Sequence, residues 1–203
     1  MSGAEFAQLR IELLRSARGQ VLEIGLGTGL NLPHYPNSVL RLRAVDPFPL
    51  LPDRLAARSD VASFPIERSC ISAEDLPYDT QTFDCVVSTW TLCTIPDPVK
   101  ALREVRRVLK PNGAFLFLEH GRSEDIGVAA WQDRLNPLQR IIGCGCNLNR
   151  KIGQLIEQAG LTIRRLDRFQ MRSVPRLGGE MYQGSAMPIA ASSFRQRPLQ
   201  ESQ

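Results

Sequence analysis

Three glycines at alternate positions, Gly25, Gly27 and Gly29, follow directly on the run Val21-Leu22-Glu23-Ile24. The run reads as a buried strand, and the glycines let the backbone turn sharply and approach a ligand with no Cβ in the way. Residues from Leu30 onward predict a helix that Pro36 ends. A nicotinamide-dinucleotide loop, spelled G-x-G-x-x-G from Gly25, needs glycine where Leu30 stands. No hydride-transfer constellation accompanies the turn either, which argues against a nicotinamide oxidoreductase.

The same strand-then-helix rhythm continues. A leading amphipathic helix over residues 4–18 places Phe6, Leu9, Leu13 and Leu14 on one face, with Gly19 as its stop. Further strands are expected over 41–46, 64–71, 83–89 and 114–119, with helices over 50–58 and from Pro98 to the break Pro111-Asn112-Gly113. The continuous apolar run of 83–89 is that of a parallel sheet centre. Past His120, residues 122–147 carry Trp131, Leu135, Leu138, Ile141 and Ile142 at near-helical spacing, which predicts a lid-like helical insertion with Trp131 in its core. A helix over 148–159 and a terminal antiparallel hairpin over 161–170 and 181–190 complete the pattern. The expected fold is α/β, a Rossmann-like, doubly wound, mostly parallel seven-stranded sheet. One domain covers 1–190, and 191–203 read as a flexible tail.

Composition supports this and excludes other classes. A chain of 203 residues, 43% apolar and 23% charged, buries a core without disulfides or a structural metal. The net charge is +4, yet residues 1–100 hold 9 basic and 12 acidic groups while 101–203 hold 16 and 9. Arg164, Arg165, Arg168 and Arg172 have only Phe169 among them, so this basic half reads as solvated surface, not a nucleic-acid face. No apolar run reaches the roughly 18 residues of a membrane span. Glu5, Arg10, Glu12, Arg15 and Arg18 interrupt any signal-like segment. Cys70, Cys85, Cys93, Cys144 and Cys146 are an odd set for internal disulfides and read as thiols in a reducing, cytoplasmic setting.

The chemistry concentrates in the first half. Asp46, 21 residues beyond Gly25, closes the second strand, where a carboxylate can accept both ribose hydroxyls of an adenosine. Glu23-Ile24-Gly25-Leu26-Gly27-Thr28-Gly29, Ser72-Ala73-Glu74-Asp75-Leu76-Pro77-Tyr78 before Phe83-Asp84, and Ser88-Thr89-Trp90 followed by 102–113 together resemble class I S-adenosylmethionine-dependent methyltransferases over about residues 20–120. The resemblance implies S-adenosyl-L-methionine as cofactor, held by Glu23, Gly25, Gly27, Gly29, Asp46, Ser72, Ala73, Glu74 and Thr89. The family usually has Asp before the alanine; Ser72 stands there, which weakens one adenine contact.

Thr91-Leu92-Cys93-Thr94, Phe117-Leu118-Glu119-His120, residues 131–137 and Gly145-Cys146-Asn147-Leu148-Asn149-Arg150 resemble a narrower subgroup that includes thiol S-methyltransferases of the methyltransferase-like family. Those members carry an N-terminal hydrophobic anchor, a run not found in residues 1–20. The subgroup implies a small acceptor, first of all a thiol or related sulfur nucleophile. A C-, O- or N-acceptor on a quinone, lipid or secondary metabolite, or a cofactor-binding sensor without turnover, stands as the alternative. Because a thiol of pKa near 8.5 is already partly thiolate, no strong base is required. The candidate catalytic groups are His120 after the fifth strand, Cys93 after the fourth, and Cys146 and Asn147 from the insertion. His120 equally reads as a group fixed in place beside Glu119. Cys144 and Cys146, with only His34 and His120 elsewhere, fall short of a zinc spacing, so no metal is expected. The plain reading of that pair is small buried thiols at a turn. Three thiols, Cys93, Cys144 and Cys146, meeting at the pocket to hold a soft metalloid is a further alternative.

Overall fold

In the computed structural model, residues 3–48 and 62–189 are described. The seven strands are β1 (Gly19–Ile24), β2 (Val39–Val45), β3 (Ile66–Ser69), β4 (Phe83–Thr89), β5 (Leu109–His120), β6 (Leu161–Gln170) and β7 (Glu180–Pro188). They form one sheet in the order β3-β2-β1-β4-β5-β7-β6. The first five run parallel to one another, and β7 pairs antiparallel with both β5 and β6. This is the doubly wound, mostly parallel sheet with a terminal antiparallel hairpin that the alternation predicts.

Four α-helices pack around it among the described residues: α1 (Ala4–Leu14), α2 (Pro98–Val108), α3 (Ile126–Ile142) and α4 (Ile152–Gln158). Strand alternation divides the core into two layers. Leu22, Ile24, Val86, Phe115 and Phe117 face one layer, which Leu102, Val105 and Ile156 of α2 and α4 complete. Val21, Cys85, Val87, Leu116 and Leu118 face the other, covered by Leu13 and Leu14 of α1. Each fully buried Leu or Phe contributes about 2 kcal/mol of transfer free energy.

Local chemistry sets the element ends. Asp97 caps α2 by accepting from the Lys100 backbone N–H at 2.9 Å, and Pro98 occupies the first turn, where no N–H is needed. Arg107 near its far end donates to the carbonyls of Leu76 and Tyr78, while Glu104 accepts from the Leu76 N–H at 3.0 Å. Helix α2 thereby fixes the segment that contains Ser72, Ala73 and Glu74.

Several boundaries differ from the sequence reading. The helix expected from Leu30 is a single 3-10 turn, Leu32–His34, because Pro33 and Pro36 close it and Asn31 and Tyr35 turn inward to Glu23. Strand β5 begins at Leu109 and absorbs Pro111-Asn112-Gly113, which bulge out where Phe83 pairs with Leu109 but Cys85 pairs with Ala114. The leading helix stops at Leu14, β3 spans four residues beside the end of β2, and α4 begins at Ile152. The insertion is helical, as expected, but Trp131 is 56% exposed and does not form its core; Gln132 and Ala129 face inward instead. The helix expected over 50–58 and the tail 191–203 lie outside the described residues.

Candidate functional site

At the carboxyl edge of β1, β2 and β4 the sheet opens into a cavity of about 590 Å³, a size suited to a small-molecule ligand. Its floor is the glycine turn. Gly25 and Gly27 have φ of +76° and +54°, the left-handed region that favours glycine. A Cβ on Gly25 would sit 2.1 Å from Oγ1 of Thr91, so the loop after β4 packs directly on the turn. Gly27 faces open space within the cavity wall. Asp46 closes one side: its Oδ2 accepts from the Gly27 N–H at 2.9 Å and its Oδ1 from the Phe48 N–H at 3.0 Å.

Beneath the turn lies a buried polar group. Glu23 is 1% exposed, with Oε1 accepting from Asn31 Nδ2 at 2.9 Å and Oε2 from the Tyr35 hydroxyl at 2.7 Å. Burial pushes its carboxyl up to about 7, against the lowering effect of those two hydrogen bonds. Asn31 also donates to Thr89 Oγ1 at 3.0 Å. Its Oδ1, buried in the cavity wall, has no hydrogen-bond partner among the described residues. An orphaned acceptor there fits a ligand ammonium group, and the acidic end of β2 fits a ribose. Elsewhere in the wall Ser72 donates to Glu74 Oε2 at 2.9 Å and accepts from the Glu74 N–H at 3.2 Å. Of the nine residues singled out for cofactor contact, eight line the cavity and Gly29 does not.

The sequence reading missed part of the wall. Trp90 and Cys144 both line the cavity, and both adopt a positive φ, +51° and +50°, a conformation costly for residues with a Cβ. Helix α1 supplies Arg10, whose guanidinium carbon lies 4.4 Å from the Trp90 ring centroid, with Phe6 on the same ring at 5.4 Å. Nothing in residue spacing ties a leading helix to the loop after β4. The one available signal was an aromatic residue immediately following a buried strand.

The four residues chosen for acceptor chemistry meet, but beside the cavity and not in its wall. Cys146 Sγ lies 3.3 Å from His120 Nε2, and one ligand atom from each of Cys93, His120 and Cys146 falls within 4.8 Å of the others. Asn147 pins the insertion to the β4 loop, donating from both its backbone N–H and its Nδ2 to the Cys93 carbonyl at 2.9 Å. Hydrogen bonding between the two thiols holds Cys146 below the usual thiol range and Cys93 above it, with burial raising Cys93 further. Cys144 is exposed, contrary to the expected pair of buried thiols. Its side chain, not that of Cys93 or Cys146, is the thiol on the cavity wall.

Glu119, next to His120, organises the joint. It is fully buried and accepts from Ser88 Oγ at 2.6 Å, the Thr91 N–H at 3.0 Å and the Leu92 N–H at 3.2 Å. Burial pushes its carboxyl up to about 7. Arg150 donates to the Leu92 carbonyl, closing the same loop from the insertion side.

Residues 22–117 match the methyltransferase domain family. The human thiol S-methyltransferase TMT1B is 35% identical over 166 residues, 78% of this chain and 67% of that protein. Human thiol S-methyltransferase TMT1A is 33% identical over 159 residues, 76% of this chain and 65% of that protein. The chain thus spans about two thirds of the length of these curated relatives. Among solved structures, the [4+2]-cyclase SpnF superposes with a TM-score of 0.71 at 20% identity, covering 92% of this chain and 81% of its own. A geranyl diphosphate methyltransferase in complex with S-adenosylmethionine superposes at 0.68 with 10% identity, over 91% and 85%. These two neighbours share the fold and differ in reaction, so the fold alone does not select the chemistry. Among the described residues, no helix is long and apolar enough to cross a membrane. With its glycine turn, its acidic β2 end and a homologue matched over two thirds of its length, the chain belongs to the class I S-adenosylmethionine-dependent methyltransferases.

Proposed function

We propose that the protein transfers a methyl group from S-adenosylmethionine to a small acceptor, a thiol or related sulfur nucleophile. The observation that carries the cofactor half of this reading is the unpartnered Oδ1 of Asn31, whose Nδ2 donates to Glu23, in a cavity wall that Asp46 also lines. Asn31 and Glu23 hold the amino end of the cofactor, Asp46 its ribose, and Ser72 with Ala73 and Glu74 its adenine. The glycine turn admits its backbone-facing edge.

When bound, the cofactor supplies a methyl carbon already activated by a sulfonium. Its methyl group would pass to the acceptor sulfur with the cofactor's thioether as leaving group, and the acceptor's proton would go to solvent. The protein's share is therefore positioning and exclusion of water. Trp90, Ile95 and Cys144 line the cavity and supply an apolar surface that suits a small lipophilic thiol. Glu119 and Asn147 act as positioning residues, since they fix the loop from Thr91 to Thr94 against the turn and the insertion. The thiol assignment draws on the similarity to the two thiol S-methyltransferases. All five cysteines are free thiols, which supports a reducing, cytoplasmic setting.

The test has two steps. Calorimetric titration with S-adenosylmethionine, S-adenosylhomocysteine and NAD should give micromolar binding of the first two and none of the third. Incubation of the loaded protein with matched thiol, amine, phenol and quinol acceptors, read by product mass, should then show a gain of one methyl on the thiols. Methylation confined to the amines or quinols would overturn the acceptor class, and cofactor binding without any methylated product would favour a sensor.

A further inference from the structure

We infer that Cys93, His120 and Cys146 form a binding site for a thiophilic divalent metal ion of the zinc class. The three side chains come from separate parts of the chain: the loop after β4, the last residue of β5 and the segment after α3. Chain spacing could not reveal the set, because its members are 27 and 26 residues apart. In space, one ligand atom from each lies within 4.8 Å of the other two.

The distances suit a tetrahedral ion. Zinc bonds of about 2.3 Å to sulfur and 2.05 Å to nitrogen place those donors roughly 3.6 Å apart across a tetrahedral angle. Cys146 Sγ and His120 Nε2 are 3.3 Å apart before any ion enters. For that pair the difference is a few tenths of an ångström, and drawing in the Cys93 thiol, within 4.8 Å of the other two, takes a shift of at most about 1 Å, within the reach of side-chain rotation. Two thiolates and a neutral imidazole form a soft donor set that favours zinc-class ions over magnesium or calcium.

A second observation supports the assignment. His120 is 95% buried by its 5% exposure, and its Nδ1 has no hydrogen-bond partner among the described residues. Ligation through Nε2, the nitrogen that faces Cys146 Sγ, puts the ring proton on Nδ1, and no partner on Nδ1 among the described residues holds the ring in the other tautomer. Cys146 is only partly buried, which gives an ion a route from solvent. Both sulfurs bind as thiolates, so any thiol proton still present leaves as its metal–sulfur bond forms, and no redox partner is needed.

Three protein donors leave one tetrahedral position for a ligand from outside the chain, the arrangement of an open centre. The ion would also clamp the β4 loop, the end of β5 and the insertion, which already meet through Asn147 on the Cys93 carbonyl, Arg150 on the Leu92 carbonyl and Glu119 on the Thr91 and Leu92 N–H groups. The assignment concerns these residues alone and holds whatever the methyl acceptor is.

The experiment uses the full chain, purified under a phosphine reductant and stripped of metal, titrated with Co²⁺ and then Zn²⁺. The expected result is one equivalent of Co²⁺ with a thiolate-to-cobalt band in the near ultraviolet and tetrahedral d–d bands in the visible, both erased by Zn²⁺. Cys146→Ser should weaken binding at least 100-fold, and Cys93→Ser likewise, whereas Cys144→Ser, whose thiol lies outside the set, should leave it unchanged. Zn²⁺ should raise the melting temperature of the parent protein and not that of Cys146→Ser. Because Cys146 is partly exposed, its variant stays interpretable if Cys93→Ser fails to fold, and S-adenosylmethionine binding reports that the fold is kept. Absence of the bands in folded parent protein, or their equal loss in Cys144→Ser, would overturn the assignment.

Discussion

The Gly27 backbone N–H donates to Oδ2 of Asp46 at 2.9 Å, so the acidic end of β2 holds the glycine turn as well as facing the cavity. Replacing Asp46 therefore removes two things at once, and two variants separate them. Asp46→Asn keeps an acceptor for the Gly27 N–H but loses the charge-assisted hydrogen bonds to a ribose, whose loss costs about 1.5–3 kcal/mol each. Calorimetry should show at least a 10-fold loss of S-adenosylmethionine affinity with the melting temperature within a few degrees of the parent. Asp46→Ala should lose more affinity and stability together.

Gly25→Ala meets both a left-handed φ of +76° and a Thr91 side chain 2.1 Å from the new Cβ. Strain and overlap together should destabilise the fold by about 2–4 kcal/mol and abolish cofactor binding. Adding Thr91→Gly removes the overlap while leaving the φ strain. Denaturant unfolding of the double variant should recover part of the loss, and equal stability of single and double variants would show that the Thr91 contact is immaterial.

Glu23 makes a pH prediction whose sign follows from its burial. Its folded pKa, about 7, lies above the usual 4.5, so the folded state keeps a proton that the unfolded chain releases. That contribution is fully present below about 4.5 and is lost as pH rises through 7. At 1.36 kcal/mol per unit, the shift corresponds to about 3 kcal/mol. Glu23→Gln keeps the shape without the ionisation. Between pH 5 and pH 8, denaturant unfolding should show the parent losing about 2–3 kcal/mol relative to this variant; a pH-independent gap would mean that the carboxyl is ionised in the fold.

Glu119 supplies the acceptor for Ser88, Thr91 and Leu92 at once. Glu119→Ala strands two backbone N–H groups and a hydroxyl in the interior, a loss of about 3 kcal/mol or more. Since Thr91 packs on the glycine turn, the same change should weaken S-adenosylmethionine binding without touching the cavity wall. Glu119→Gln, which retains one acceptor oxygen, should fall between Ala and the parent in both measurements.

The sequence by itself determined the sheet and eight of the residues that line the candidate cavity. Strand periodicity, the three glycines and the acid at the end of β2 are local signals, because a strand, a tight turn and a strand end each impose their chemistry on residues next to one another in the chain. The two strands of the terminal hairpin were also legible, as paired segments at the end of the chain. Where propensity met packing, packing won: the helix expected after Leu30 shrank to Leu32–His34 so that Asn31 and Tyr35 could satisfy the buried Glu23. Likewise Trp131 has the spacing of a core residue, yet α3 presents it outward and buries Gln132. Tertiary structure alone decided that Arg10 of the leading helix covers Trp90, that Cys144 is the thiol on the cavity wall, and that Cys93, His120 and Cys146 stand side by side. Those contacts join segments 26 to 80 residues apart. No local pattern encodes them, because a side chain's partner across such a span is set by the sheet order and by how the loops close over its edge.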